Sequence, residues 1–318
     1  MQKWQPLGRF HRAKSRRSEY NVSLSPYPPY LPLSRASSNI HLFNRLHEQR
    51  LRTGDRLRVL EWLAPPELRP LVTGTKEPGT LQWFVEGELF HDWLAGEKQY
   101  LFVHGGVGCG KTTLLKSAAK SCHQKLGEIQ GHSATFVVTF YFSSTTNQRF
   151  GLNELLRFLV GRLSPLDSVP DALYDMYRAS TKTFPPEPPT DNEELIGVLS
   201  RILAGSSPSG ANPAPQTYIL LDGLDEIATL SECRKVTNFL NVSAALDLKN
   251  LHILVTSRSL ELSNPWQPIW KQYAITAQEV AHDIERYVRR AGFQELGHLT
   301  IDSQRKIIAE LTGPKQIM

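Results

Sequence analysis

The sequence predicts an α/β fold in which about five mainly parallel strands form a central sheet covered by helices on both faces. Apolar, strand-like segments alternate along the chain with amphipathic stretches at helical spacing, which is the pattern of parallel sheets. The segment 218–221 is continuously apolar, as expected for a strand that is buried on both faces. A glycine-rich turn at 105–110 joins another apolar segment, 100–103, to a helical pattern. These observations predict one main domain over residues 96–290.

The composition agrees with a soluble protein. The chain has 318 residues and is 40% hydrophobic, so it can bury a core. No uninterrupted apolar stretch approaches the roughly 18 residues that a membrane helix needs, so we expect no membrane span. The three cysteines, Cys109, Cys122 and Cys233, lack the spacing of a metal site and suit a reducing compartment. We therefore expect a cytoplasmic protein.

Residues 1–56 are predicted to form a basic arm that is mostly disordered. Residues 1–47 contain eight Lys or Arg and one acid, and they are rich in Pro and Ser. The basic run at 9–17 is compatible with nucleic acid, anionic lipid or an import receptor, and it has some features of a mitochondrial presequence. We favour a solvated arm without a function, so nucleic acid is expected as a partner only through this arm.

Residues 57–95 are predicted to form a helical lead-in to the sheet. Trp83, Phe90, Trp93 and Leu94 recur in it at helical spacing. Because bulky apolar stripes usually pack against a sheet, we interpret these four residues as part of the core.

The glycine-rich turn has the sequence of a phosphate-binding loop. The run from Gly105 to Thr112 fits the pattern GxxxxGK[ST], with a strand before it and an amphipathic helix after it. Glycine at four positions of this run lets successive N–H groups point inward, which creates a nest for an anion. The helix adds its positive dipole end and its unpaired N–H groups. The turn therefore predicts a nucleotide-binding protein.

Each residue of the loop is a candidate for contact with a nucleotide. The candidates are Gly105, Gly106, Val107, Gly108, Cys109, Gly110, Lys111, Thr112 and Thr113. Lys111 is expected to reach the β and γ phosphates, and Thr112 is expected to supply a hydroxyl ligand to Mg²⁺. The implied cofactors are ATP or ADP, with GTP as an alternative, together with Mg²⁺. Contact of the aromatic stripe at 83–94 with adenine is the alternative to its role in the core.

Beyond the loop, the sequence continues with strands and helices in alternation. A strand is expected at 136–142, and crossover helices are expected at 152–163 and 193–203, so the sheet should be mainly parallel. Two stretches rich in Pro or in Ser, Gly and Pro, 184–190 and 205–216, are predicted to be surface excursions.

The apolar strand at 218–221 is followed by three carboxylates, those of Asp222, Asp225 and Glu226. Ligands of parallel sheets collect at the carboxyl ends of the strands. In proteins with a phosphate-binding loop, the first acid after such a strand holds Mg²⁺ and a nearby acid can orient the attacking water. We assign Mg²⁺ binding to Asp222 and the orientation of water to Glu226, and Asp225 could exchange roles with Glu226.

A further strand, 252–256, brings Arg258 to the same edge of the sheet. A fixed guanidinium at this edge can stabilise the charge of a γ phosphate and report its loss on hydrolysis. Arg258 is therefore a candidate phosphate sensor, with an ordinary surface arginine as the alternative. A last strand near 273–276 completes the predicted five.

Taken together, these motifs resemble the NACHT family of STAND ATPases, in the form found in fungal NOD-like receptors and related to the nephrocystin N-terminal module. The likeness covers residues 57–290 and rests on RVLEWL, WFVEGELFHDWL, LFVHGGVGCGKTTL, FVVTFYF, LNELLRFLVGRL, ILLDGLDE and LVTSR, in this order. Gly223 makes it specific, because a typical AAA+ protein has a glutamate after the first acid. The resemblance implies a P-loop NTPase three-layer sandwich. It also implies homo-oligomers in complete members, which act in innate immunity and heterokaryon incompatibility.

The resemblance extends to the chain beyond the sheet. The sequence DIERYVRR at 283–290 resembles the beginning of the helical module of the family, and residues 291–318 are interpreted as a truncated start of that module. On this interpretation, the winged helix and the repeats of complete members are missing, together with the winged-helix residue that contacts the β phosphate in relatives.

Three functions remain open at this point. The one we favour is a nucleotide-controlled signalling switch with slow, Mg²⁺-dependent NTP hydrolysis, as the resemblance implies. The first alternative is a P-loop phosphotransferase, which usually needs an arginine-rich lid over its acceptor, and no such lid is recognisable in the sequence. The second alternative is a truncated fragment that only binds nucleotide.

Overall fold

The structure of the chain is a computed structural model. It describes residues 56–66, 79–128, 135–142, 150–164, 169–181, 186–205, 214–258, 266–295 and 299–312. The predicted basic arm lies outside these residues, apart from Arg56. None of the described helices has both the length and the apolar character needed to cross a bilayer.

Helices and strands alternate along most of the described chain. The helices are α1 (56–63), α2 (Gln82–Val85), α3 (Glu88–Ala95), α4 (Lys111–Glu128), α5 (Leu152–Leu163), α6 (Asp171–Ser180), α7 (Asn192–Leu203), α8 (Leu230–Ala245), α9 (Ala277–Glu295) and α10 (Ile301–Thr312). The strands are β1 (Tyr100–His104), β2 (Thr135–Tyr141), β3 (Gln216–Asp222), β4 (Leu251–Ser257) and β5 (Lys271–Ala274), and a 3₁₀ turn follows β3 at Leu224–Glu226.

The five strands form one sheet in the order β2-β3-β4-β1-β5, and every pair of neighbours is parallel. The predicted α/β architecture with a five-stranded parallel sheet is therefore confirmed. The strand at β5 ends two residues earlier than expected. β1 is internal, with β4 on one side and β5 on the other, so the chain that leaves its carboxyl end is flanked by two strands.

The sheet has helices on both faces, which gives the predicted three layers. One face packs against α2, α3 and α4, and its core contains Phe90, Trp93 and Leu115. The other face packs against α1 and α5 to α8 and also buries Trp266 and Trp270. Apolar side chains thus alternate between the two faces of each strand, as a doubly covered sheet requires.

The aromatic part of the lead-in is divided into α2 and α3, although the helical spacing of Trp83, Phe90, Trp93 and Leu94 runs through it. The chain breaks between α2 and α3 at Gly87, whose backbone is extended (φ −76°, ψ 154°). A Cβ at Gly87 would lie 2.5 Å from the carbonyl oxygen of Trp83, so the close approach of the two helices depends on glycine. Phe90 and Trp93 are fully buried as predicted, while Trp83 and Leu94 are half-buried at the edge of the same cluster.

One further element differs from the prediction. Helix α6, of which only Leu173 is buried, was not expected. Of the expected surface excursions, residues 186–190 have no regular structure, and the remaining parts at 184–185 and 206–213 lie outside the described residues.

His252 on β4 is buried between aromatic rings beneath α3. Its side chain is 2% exposed, and its Nδ1 donates to the carbonyl of Trp93 at 2.8 Å. The ring stacks on that of Tyr218, with 4.3 Å between the centroids. Burial lowers the pKa of His252 below its ordinary value of 6.5.

This burial predicts a loss of stability in acid. The unfolded chain takes up a proton as the pH falls through about 6.5, whereas the folded chain resists it, so the free energy of unfolding should decrease below that pH. In His252→Asn the amide can still donate to Trp93 but cannot titrate. We expect the stability advantage of the wild type over this variant to shrink as the pH is lowered from about 8 to about 5, measured by urea denaturation.

His123→Asn, at an exposed position of α4, is the control and should keep the wild-type pH dependence. A constant difference between wild type and His252→Asn would contradict the assignment.

Candidate nucleotide-binding site

The loop at 105–110 leaves the carboxyl end of β1 and leads directly into α4. Gly108 and Gly110 have positive φ angles of 76° and 90°, a conformation that side-chain-bearing residues rarely adopt. A Cβ added at Gly106, Gly108 or Gly110 would have no atom within 4 Å. The backbone of the loop is therefore accessible from the open side of the molecule, as a phosphate that binds main-chain N–H groups requires.

The base of the loop is fixed by both strands that flank β1. The N–H of Gly105 donates to the carbonyl of Ser257 on β4 at 3.3 Å, and the N–H of Ile275, just after β5, donates to the carbonyl of His104 at 2.8 Å. A Cβ at Gly105 would lie 2.7 Å from Cys109 Sγ and 3.1 Å from Ile275 Cβ. Gly105 is thus needed for close packing, whereas the other glycines leave space.

Lys111 begins α4 and folds back over the loop. Its ammonium group donates to the carbonyl oxygens of Gly105 at 2.9 Å and Gly106 at 2.7 Å, and it lies 3.7 Å from Cys109 Sγ. The N–H of Leu114 makes a helical bond to Gly110 at 2.8 Å, so the amides that precede it form the free N-terminus of the helix. Thr112 and Thr113 are half-buried in this first turn, and Val107 is 73% exposed at the tip of the loop.

Asp222 is the last residue of β3, and its side chain points to the face that α4 covers. It is in register with Thr256 of β4 and Tyr141 of β2, and Thr256 is in register with Val103 of β1. Side chains in one row of a parallel sheet point to the same face, and those of Val103 and Tyr141 pack with α4. Asp222 is 4% exposed, and one of its oxygens accepts a hydrogen bond from Thr256 Oγ1. Burial and the charge of Asp222 raise the pKa of Tyr141 to about 12.

The loop and Asp222 therefore lie at the same edge of the sheet and on the same face. Only β4 separates β1 from β3, and two strand spacings amount to about 10 Å. Lys111 and Thr112 lie in the first turn of α4, which follows the loop, and a triphosphate has the length to span two strand spacings. The strand ends that carry the loop and Asp222 thus lie two strands apart at one edge of the sheet.

The donor set at this edge fits Mg²⁺ bound with phosphates. Asp222 supplies a carboxylate oxygen and Thr112 a hydroxyl, and both are the hard oxygen ligands that Mg²⁺ prefers. No group of three or more His, Cys, Asp or Glu side chains within the described ranges is arranged to hold a metal ion by itself. The protein can thus offer one or two ligands, and phosphate oxygens and water would have to supply the others.

The three remaining predicted residues lie beyond Asp222 and are not equivalent. The chain turns immediately after β3 because Gly223 has a positive φ of 75°. Asp225 then bonds to the end of β4, where it accepts from Ser257 Oγ at 3.0 Å and forms an ion pair with Arg258 Nε at 3.0 Å. Glu226 is exposed and its side chain lies over Gly223, with its Cγ 3.5 Å from where a Cβ would be.

The structure adds a groove that the sequence interpretation did not include. It has a volume of about 440 Å³ and lies between α2 and the first turns of α9, with Trp83, Thr276 and Asp283 among its lining residues. Asp283 accepts from the N–H of Leu81 and from Trp83 Nε1, both at 3.0 Å. Arg286 donates to the carbonyl of Gly79. The residues joined by these bonds are about 200 positions apart in the sequence. The sequence could indicate the groove only through Asp283 and Arg286, which are three residues apart and therefore lie on one face of a helix.

The groove begins beside the glycine loop. Ile275 donates its N–H to the carbonyl of His104, the residue before the loop, and the next residue, Thr276, lines the groove. Trp83 stacks on Tyr273 of β5, with 6.3 Å between the ring centroids. Burial and a hydrogen bond to Glu279 raise the pKa of Tyr273 above its ordinary value.

Comparisons with known proteins give one family match. The family model described as "Nephrocystin 3, N-terminal" matches residues 79–258, more than half of the chain. No curated protein matches the chain.

One matching chain among the solved structures is from "Structure of Drosophila ORC bound to DNA", with 10% identity and a TM-score of 0.36 over 86% of this chain and 60% of that chain. The chain thus spans less than two thirds of that one. Another is from "Structure of E. coli MS115-1 HORMA:CdnC:Trip13 complex", with 14% identity and a TM-score of 0.35 over 85% and 78% of the two chains. The family match includes the loop and the strand ends that carry Asp222 and Arg258.

Proposed function

We propose, on the premise that this chain belongs to the nephrocystin 3 N-terminal family, that it binds ATP with Mg²⁺ and uses slow hydrolysis as a signalling switch of the NACHT class. The observation that carries the proposal is the convergence of the glycine loop, Lys111 and Asp222 at one edge and on one face of the sheet. Residues 96–290 form the domain that would bind the nucleotide. GTP is the alternative nucleotide, and its affinity should be compared with that of ATP.

Binding would begin with an exchange of partners at the loop. The ammonium group of Lys111 is now bonded to the carbonyl oxygens of Gly105 and Gly106. A phosphate oxygen carries a full charge and is a stronger acceptor than a carbonyl, so Lys111 would transfer to the β and γ phosphates. The amides of the loop and the first turn of α4 would supply the other donors.

Thr112 and Asp222 would hold the Mg²⁺ ion. When bound, Mg²⁺ neutralises charge on the β and γ phosphates and lowers the barrier to phosphoryl transfer. Thr256 donates to one oxygen of Asp222 and so fixes the rotamer of the carboxylate, which leaves the other oxygen for the metal.

Glu226 is the residue that we assign to the orientation of the attacking water. It is exposed and lies one 3₁₀ turn beyond Asp222, and no hydrogen-bond or ion-pair partner occupies its carboxylate within the described part of the chain. A carboxylate that accepts a proton from water must have a free oxygen in reach of it. Arg258, at the end of β4, would contact the γ phosphate.

The output of the switch would be movement of α9. Ile275 is bonded to His104 at the base of the loop, α9 begins two residues later, and Asp283 and Arg286 bind the helix to the lead-in at 79–83. A nucleotide that shifts the loop would therefore change the balance of these contacts. We further propose that longer members of the family convert this movement into homo-oligomers in the cytoplasm.

The test is to measure ATP, ADP and GTP affinity together with phosphate release, for the wild type and for Glu226→Gln. The amide cannot take a proton, so we expect phosphate release to fall by at least about tenfold. ATP affinity should stay within about twofold of the wild type, because Glu226 is not assigned to binding. Glu88→Gln, an exposed carboxylate at the start of α3, is the control and should change neither quantity.

Other results would count against the proposal in defined ways. A wild-type protein that binds no nucleotide would refute it altogether. Phosphate transferred to an acceptor in a metabolite mixture, rather than to water, would support a phosphotransferase. Tight ATP binding with no release, and no change in α9 between ATP and ADP by hydrogen exchange, would support a domain that only binds nucleotide.

A further inference from the structure

Asp225 accepts from three protein donors, unlike the other two carboxylates at the candidate site. Its Oδ1 accepts from Ser257 Oγ at 3.0 Å and from the N–H of Arg258 at 2.8 Å. Its Oδ2 lies 3.0 Å from Arg258 Nε. The Asp225 side chain is 9% exposed, so three protein donors and little water surround it. These contacts join the turn after β3 to the end of β4.

Glu226, the next residue, has the opposite environment. Among the described residues its carboxylate has no partner, and it is exposed. A carboxylate needs an available lone pair to receive a proton from water, and both oxygens of Asp225 already accept from fixed donors. The two adjacent acids are therefore suited to different tasks.

The ion pair with Asp225 leaves part of the Arg258 guanidinium available. It runs through Nε, and the two terminal nitrogens have no partner within the described chain. Arg258 also stands close to the loop, because the carbonyl of the preceding residue, Ser257, accepts the hydrogen bond from Gly105 N–H. A guanidinium that is anchored at Nε presents its two terminal N–H₂ groups as a fork, which matches two oxygens of one phosphate.

We infer that Asp225 is a positioning residue: it holds Arg258 so that its terminal nitrogens contact the γ phosphate, and it thereby sets the preference for a triphosphate over a diphosphate. This inference rests on the proposed function and assigns separate roles to Asp225 and Glu226. Anchoring lowers the entropy that the long arginine side chain loses on binding, so removal of the anchor should weaken only the contact that Arg258 makes.

The experiment compares Kd for ATP and for ADP in the wild type, Asp225→Asn, Arg258→Gln and the double variant. The amide oxygen of Asp225→Asn can still accept from Ser257 and the Arg258 amide, but the charge opposite Nε is lost. We expect this variant to weaken ATP binding by about tenfold, because a charge-assisted contact is lost, and to keep ADP affinity within about twofold. Arg258→Gln should have the same effect, and the double variant should be no worse than Arg258→Gln, since the two residues act as one unit.

Two further variants complete the design. Asp247→Asn makes the same chemical change at an exposed ion pair with Lys249 and should leave both affinities unchanged. Arg258→Lys keeps the charge without the fork and should also lose the preference for ATP. It tests the same inference without a change at Asp225, so the inference remains testable if Asp225→Asn fails to fold, which thermal unfolding would reveal.

Several outcomes would overturn the inference. Equal weakening of ATP and ADP binding by Asp225→Asn would mean that Asp225 only supports the fold. Unchanged ATP affinity with abolished phosphate release would make Asp225 the residue that orients water. If the wild type binds ATP and Asp225→Asn binds it equally well, the inference alone fails, whereas a wild type that binds no ATP refutes the proposed function and this inference with it.

Discussion

Lys111→Ala is expected to weaken ATP binding by about 100-fold, because it removes a cation that would bond two phosphate oxygens. Charge-assisted hydrogen bonds contribute about 1.5–3 kcal/mol each, and a loss of about 3 kcal/mol corresponds to about 100-fold in Kd. In the structure the ammonium group already lies over the loop, 2.9 and 2.7 Å from the carbonyl oxygens of Gly105 and Gly106. Isothermal titration with ATP and with ADP measures the effect.

The control for this prediction is Lys120→Ala. Lys120 is on the same helix as Lys111 but is exposed and more than two turns away from the loop. It changes the net charge equally, so a general electrostatic effect would appear in both variants. Equal affinity of Lys111→Ala and the wild type would remove the loop from the candidate site.

Asp222→Asn is expected to abolish the effect of Mg²⁺ on ATP binding and to reduce phosphate release by at least about 100-fold. A neutral amide is a poor ligand for a hard cation, and a metal that stabilises the transferring phosphate contributes several kcal/mol. The fold should survive, because the amide oxygen can accept the hydrogen bond that Thr256 Oγ1 now donates to the carboxylate. Titration of ATP with Mg²⁺ and with a chelator separates binding of the metal from binding of the nucleotide.

Asp302→Asn, at an exposed position of α10, is the matched control and should retain the full response to Mg²⁺. If Asp222→Asn also retained that response, the metal would have to be held by other residues. Since the described residues hold no cluster of three or more His, Cys, Asp or Glu suited to a metal, Thr112 would then be the first residue to test.

The strands and the loop could be predicted because their signals are local. A continuously apolar run such as 218–221 reports burial on both faces, and glycine at 108 and 110 reports the positive φ angles that the structure contains. The edge at which Asp222 lies also follows from topology, since parallel strands end together. Its face could not be read from the sequence, because that depends on its register with Thr256 and Tyr141.

Other features depend on contacts between distant segments and have no local signal. The division of the lead-in at Gly87 is set by the packing of α2 on α3, which a period of 3.6 residues does not reveal. The sequence left Asp225 and Glu226 interchangeable, since both are acids in one turn. The structure distinguishes Asp225 from Glu226, because the end of β4 lies beside Asp225 and its residues Ser257 and Arg258 bond to that carboxylate.

The internal position of β1 has a mechanical consequence. Ile275 donates its N–H to the carbonyl of His104, and α9 begins two residues farther on. On the proposed function, a displacement of α9, whose exposed side chains include Ile284 and Tyr287, would be transmitted to the base of the loop through the hydrogen bond between Ile275 and His104. If a partner bound to α9 changed the affinity of the loop for phosphate, a phosphate bound at the loop would change the affinity for that partner by the same factor.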